Sequence, residues 1–120
     1  MELKKIVKII RALADENRFR IFCLMAVKKD ICVCEITAVI GLAQPTVSSH
    51  LKVLENAGLI ESYKVGLWVN YNIVSGPDSF TAGLVKLTLE NLQNDEQIKS
   101  DIKKIESTGR NIICCKPVKK

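Results

Sequence analysis

A single histidine, His50, occurs in the 120 residues. No glycine-rich phosphate loop is present, nor any pair of carboxylates at catalytic spacing, so little could carry turnover; an enzyme acting on a small organic substrate is not expected. Long apolar runs are also missing. Lys4, Lys5 and Lys8 interrupt the apolar residues near the start, which leaves no signal-peptide core and no membrane-length span. A cytoplasmic location without a membrane partner is therefore expected. There is no internal repeat. The cysteine count is five, an odd number, and in a cytosolic chain such residues read as free thiols, metal ligands or redox groups rather than as a disulfide framework.

What is present fits one domain able to bury a modest core, with 48% hydrophobic residues. Eighteen Lys and Arg against thirteen acids give a formal charge of +5, which favours an anionic partner. Part of that charge lies in a basic tail with Lys116, Lys119 and Lys120.

The organising stretch is Ile31 to Ile73. Ile36 and Ile40 lie one helical face apart, Gly41 interrupts, and Val47, Leu51 and Leu54 resume helical spacing after Pro45, a residue favoured in a first turn. Gly41 is expected to close the first helix in a left-handed conformation. Two short helices across a tight turn make a helix-turn-helix. With Val47, Leu51 and Leu54 inward, Gln44, Thr46, Ser48 and Ser49 are free to touch bases or phosphates, and Lys52 faces a phosphate. His50 is either a donor to DNA or a surface residue that stabilises the turn. After Ala57-Gly58, the runs Leu59 to Lys64 and Leu67 to Ile73 read as a hairpin turning at Val65-Gly66. Lys64 near its tip can reach phosphate or a minor groove, while Trp68 and Tyr71 are expected to pack the hairpin onto the helices. The fold class is thus mainly α with a small β-hairpin, a winged helix-turn-helix.

Upstream, Leu3, Ile6, Val7, Ile10 and Leu13 form a helical stripe that can face either a partner subunit or the chain's own core. Asp15 is a candidate N-cap for the next helix. That helix carries Phe19, Ile21, Phe22, Leu24, Met25 and Ala26 inward, with Cys23 as a small core residue. Downstream of Ser75-Gly76-Pro77-Asp78, one long helix is expected from Ser79 to about Ser107, weakened near Asn94-Asp95 and with no mate in the monomer except the first helix. Residues 108–120 form a separate tail after a domain spanning 1–107.

Cys32-Val33-Cys34 precedes the first helix of the pair. Two positions turn an α-helix by about 200°, so both sulfurs can hold one ion only if the helix start is extended or becomes so. A nearby helix N-terminus favours the thiolate that a metal needs. Both residues can equally be small side chains at a helix start, and Cys114 and Cys115 in the tail can be ligands or pack beside Ile112 and Ile113.

The chain resembles the ArsR/SmtB family of metal-responsive repressors over roughly residues 6 to 73. The likeness rests on Leu13-Ala14-Asp15-Glu16-Asn17-Arg18, on Cys32-Val33-Cys34-Glu35-Ile36, on Gln44-Pro45-Thr46-Val47-Ser48-Ser49-His50-Leu51 with Leu54, and on Ala57-Gly58-Leu59-Ile60. It implies an arsenic-responsive repressor that binds double-stranded operator DNA as a homodimer through its terminal helices. It also implies DNA contact by His50 and a metal site at Cys32 and Cys34. Several arsenic sensors of the family carry a third cysteine where this chain has Thr37, so a third sulfur is expected from Cys114 or Cys115. Arsenite or antimonite suits three thiolates, and cadmium, lead or zinc suits four sulfurs, with arsenite the first choice and cadmium or lead the second. The family's zinc-sensing branch uses Asp, His and Glu on the last helix; this chain has Glu90, Asp95 and Glu96 there but no histidine. A thiol-based redox repressor is the remaining alternative of the same fold.

Overall fold

A computed structural model describes residues 1–76 and 78–107. The elements in order are α1 (Leu3–Ala12), α2 (Glu16–Val27), α3 (Val33–Ile40), α4 (Gln44–Asn56), β1 (Ile60–Val65), β2 (Trp68–Ile73), α5 (Ser79–Leu92) and α6 (Glu96–Ser107). No helix among the described residues is long and apolar enough to cross a membrane.

Local chemistry sets most boundaries. Asp15, in extended conformation, accepts from the Arg18 amide at 3.0 Å and starts α2. That bond first, and attraction to neighbouring basic groups after it, hold the Asp15 carboxyl below its ordinary range against a smaller opposing effect of burial. Gly41, at φ 84°, closes α3 with its amide on the Thr37 carbonyl at 2.9 Å. Pro45 sits in the first turn of α4, where no intrahelical donor is lost. Gly58, at φ 79°, lets the chain leave α4, and the Leu59 amide returns to the Leu54 carbonyl at 3.1 Å.

The core is built on α2, α3 and α4. Ile21, Phe22 and Leu24 of α2, Ile36 of α3, and Val47 and Leu54 of α4 are wholly buried. Each such aliphatic or aromatic side chain contributes about 1.5–3 kcal/mol. The hairpin pairs antiparallel from Ile60 with Ile73 to Val65 with Trp68, turning at Gly66. It closes over this core through Leu59, Ile60, Tyr71 and Ile73, while Trp68 sits half-buried at the turn end.

One open alternative is decided and one expectation is corrected. On α1 the core takes Ile9, Ala12 and, from the apolar stripe, Leu13, while Leu3, Val7 and Ile10 of the stripe stay exposed. The buried residues Ile9, Ala12 and Leu13 gather at the C-terminal end of α1, which packs against α4.

The single helix from Ser79 to Ser107 is also two. The Asp95 carboxylate accepts from the Ile98 amide at 3.0 Å, and its own amide bonds the Leu92 carbonyl at 3.0 Å. A capping aspartate thus ends α5 and starts α6. The second half then folds back on α2 and α3, burying Ile98, Ile105 and Asp101. Asp101 is 1% exposed, and Arg20 of α2 grips it with Nε at 2.8 Å and Nη2 at 3.0 Å. The last segment therefore has mates within its own chain.

Candidate functional site

Because Val47, Leu51 and Leu54 turn into the core, helical geometry sends the rest of α4 outward. Gln44, Thr46, Ser48, Ser49 and Lys52 are all exposed, as is Lys64 near the tip of the hairpin. Their hydroxyl, amide and ammonium groups supply the donors and acceptors that base edges and phosphates require. The inward face is apolar and the outward face carries one charge, Lys52, before Glu55.

His50 is placed differently from its neighbours. It is half-buried on the flank of α4, and its Nδ1 lies 3.5 Å from Nη1 of Arg18 at the start of α2. Facing a guanidinium, which only donates, Nδ1 serves as the acceptor and leaves Nε2 for an outside partner. Arg18 is itself anchored, with Nε on the Ala12 carbonyl at 2.7 Å. Sequence patterning gave Arg18 no role; its position just after the capping Asp15 is the signal that places it beside α4.

The Cys-Val-Cys step lies where α3 begins. Cys32 is the N-cap, with extended backbone (φ −98°, ψ 165°), and is 4% exposed. Val33 and Cys34 then occupy the first two helical positions, Cys34 half-buried. Only Cys32 is extended, whereas Val33 and Cys34 are already helical, so the extended 32–34 segment that joint use of the two sulfurs requires is not formed in this state, and Cys34 is disulfide-bonded rather than a free thiol.

Around it is a capping box. The Glu35 carboxylate accepts from the Cys32 amide at 3.0 Å, while the Cys32 sulfur faces the Glu35 amide. Glu35 is 2% exposed, and Lys28, from the end of α2, donates to its other oxygen at 2.9 Å. Sequence reading missed Glu35 and Lys28, although a capping residue followed three places later by Glu is the recognisable pattern.

The residues just before Cys32 are fastened to the hairpin. Ile31, wholly buried, exchanges both backbone bonds with Tyr71: its amide reaches the Tyr71 carbonyl at 3.2 Å and its carbonyl takes the Tyr71 amide at 2.8 Å. Asp30, at φ 60°, donates its amide to Asn72 Oδ1 at 2.8 Å. Its carboxylate accepts from Asn72 Nδ2 at 2.9 Å and from the Tyr63 hydroxyl. That last bond raises the Tyr63 pKa above its ordinary value, since it favours the protonated phenol.

The remaining cysteines divide. Cys23 is a buried thiol of α2, 1% exposed. Burial first, and the Asp101 and Asp95 carboxylates after it, push it up to about 12, which makes it inert. Cys114 and Cys115 lie outside the described residues. No cluster of three or more His, Cys, Asp and Glu side chains suited to a metal occurs among the described residues.

Comparison with known proteins places this geometry. A family model described as "Bacterial regulatory protein, arsR family" matches residues 15–62. The arsenic resistance transcriptional regulator ArsR1 of Pseudomonas putida is 30% identical over 101 residues, covering 84% of this chain and 77% of that protein. The arsenical resistance operon repressor of Escherichia coli is 27% identical over 106 residues, covering 88% and 83%. A cadmium resistance regulatory protein CadC homolog of Staphylococcus aureus is 31% identical over 68 residues, covering 57% and 56%.

Among solved structures, HlyU from Vibrio cholerae superposes with a TM-score of 0.68 at 26% identity, covering 78% of this chain and all of that one. A Mycobacterium bovis domain described as a homodimeric winged helix-turn-helix superposes with a TM-score of 0.63 at 24% identity, covering 78% and 88%, and shares the fold. The chain belongs to the arsR family of bacterial regulatory proteins, DNA-binding transcriptional regulators rather than enzymes.

Proposed function

We propose that this regulator is a dimeric repressor that holds operator DNA until a soft, thiophilic ion binds Cys32 and Cys34. Arsenite or antimonite is the first choice of ion, and cadmium or lead the second. The observation that carries the reading is the place of Cys32. Its sulfur faces the amide it helps to cap, at the first turn of α3, the helix that leads into α4 across Gly41.

Soft thiolates select such ions over magnesium or calcium. The relatives named for arsenic and cadmium resistance support the choice. With Thr37 in the position of a third nearby sulfur, Cys114 or Cys115 supplies it. For arsenite, each As–S bond forms as an As–O bond breaks, and the departing hydroxyl leaves as water with the thiol's proton.

On the DNA side, Gln44, Thr46, Ser48, Ser49 and Lys52 read or grip the major groove, His50 reaches it through Nε2, and Lys64 extends the contact from the wing. The exposed stripe Leu3, Val7 and Ile10 on α1, together with exposed Leu87 on α5, supplies the apolar surface for a second copy of the chain. Two reading helices about one DNA turn apart then face an inverted repeat. When Cys32 turns to an ion, α3 loses its capping sulfur and α4 loses its set position. Moving a balance from 1:99 to 99:1 takes about 5.5 kcal/mol of preference for the released form.

The test is fluorescence anisotropy of the reduced protein on the DNA upstream of its gene, titrated with arsenite, antimonite, cadmium, lead and zinc. Release by arsenite in the wild type, lost in Cys32→Ser and in Cys114→Ser/Cys115→Ser, is the expected result. If no ion releases the DNA and a mild oxidant does, a thiol-redox repressor replaces this reading.

A further inference from the structure

Taken on the reading just proposed, the sensing segment has two neighbours. It runs forward into α3, and it is also pinned sideways to the wing. Ile31 is the residue immediately before Cys32, and it is bonded on both sides to Tyr71 of β2 at 3.2 and 2.8 Å, with its side chain wholly buried. One residue earlier, Asp30 makes the paired contact with the Asn72 side chain at 2.8 and 2.9 Å and takes the Tyr63 hydroxyl of β1. Both strands of the wing are therefore held by two consecutive residues that end where the first candidate sulfur begins.

We propose that the wing is a second output of the sensor, with Asp30 and Asn72 as positioning residues that carry the displacement of Cys32 into it. A short extended segment cannot lengthen, since consecutive Cα atoms are fixed about 3.8 Å apart. Drawing Cys32 toward an ion therefore pulls on Ile31, and a pair of backbone bonds resists the pull. The wing must follow, or the Ile31–Tyr71 pair must open; either outcome alters where Lys64 stands relative to a phosphate. Release thus acts at the groove through α4 and beside it through the hairpin. Neither Asp30 nor Asn72 touches the ion, and neither is among the residues assigned to DNA.

The experiment uses the full-length reduced protein with arsenite as the probe. In the wild type without DNA, arsenite is expected to speed hydrogen exchange of the Tyr71 amide more than that of the β1–β2 ladder amides. Asn72→Ala removes both Asn72 bonds to Asp30, and Tyr63→Phe removes only the hydroxyl arm. In Asn72→Ala, arsenite is expected to bind the free protein at least as tightly as in the wild type. The ratio of DNA affinities without and with arsenite is expected to shrink roughly threefold, the size of one modest hydrogen bond. Tyr63→Phe should show a smaller change in the same direction. A purely structural defect would lower both DNA affinities together and leave their ratio fixed.

Equal ratios in wild type, Asn72→Ala and Tyr63→Phe, with Tyr71 exchange unmoved by arsenite, would overturn the wing as an output while leaving the ion reading intact. Failure of arsenite to release DNA from the wild type overturns both.

Discussion

Replacing Arg20 by Met would leave the Asp101 carboxylate buried beside α2 with one partner in place of three bonds. In the native fold it receives Arg20 Nε at 2.8 Å, Arg20 Nη2 at 3.0 Å and Gln97 Nε2 at 3.0 Å, and its side chain is 1% exposed. The same contacts raise the Arg20 pKa further above its already high value, with the hydrogen bond to Asp101 as the largest cause. Removing one partner of a buried pair costs about 3–5 kcal/mol. Arg20 is 19% exposed, so water screens part of the interaction and the lower end, about 3 kcal/mol, is expected. For a domain of this size that is a fall in Tm of roughly 10–15 °C. The assay is urea unfolding followed by helical circular dichroism, at one fixed protomer concentration because association adds to apparent stability. The double variant Arg20→Met/Asp101→Leu removes the stranded charge and should recover most of the loss. A single-variant cost below about 1 kcal/mol, or a double variant no better than the single, would refute the return of α6 onto α2 as the place where this charge is neutralised.

Cys23 gives an alkaline signature. Its thiol stays neutral in the fold up to about 12 but ionises near 9.0 when unfolded, so its contribution is intact below pH 9 and declines as pH rises toward 12. The loss amounts to at most about 1.4 kcal/mol per pH unit. Subtracting the unfolding profile of Cys23→Ala from that of the wild type should isolate this slope, and parallel profiles would disprove the burial argument. At Gly41 an added Cβ meets nothing within 4 Å, yet φ is +84°. Gly41→Ala should therefore cost about 1–2 kcal/mol through backbone strain alone, with Gly41→Asn milder; thermal unfolding of the two variants decides it.

The features legible in the sequence are those with local causes. Asp15 caps within three residues, Gly41 needs its left-handed angle because the helix stops there, and Val47, Leu51 and Leu54 face inward because their spacing leaves no other arrangement. The hairpin followed from β-branched and aromatic residues around Gly66. What escaped depends on partners far along the chain. Asp101 finds Arg20 across 81 positions, and that pairing accompanies the Asp95 cap and the burial of Ile98 and Ile105 where the last helix breaks and returns. Asp30 finds Asn72 across 42 positions, and His50 meets Arg18 across 32. The helical period of α1 was plain, but period alone does not say which side meets the core, and the choice left open between core and partner is decided only by the fold, which buries Leu13 and leaves Leu3, Val7 and Ile10 outside. At the candidate thiol site, the need for an extended Cys32 followed from helix geometry, whereas Glu35 and Lys28 required the fold to bring the end of α2 beside the start of α3.

The return of α6 also bears on how such a repressor is assembled. Ile98 and Ile105 are buried on a helix that packs against α2 and α3 of the same chain, so this part of the core is closed without a second chain. Association is then a docking of finished surfaces. In the dimer proposed above, subunits would then exchange as folded protomers.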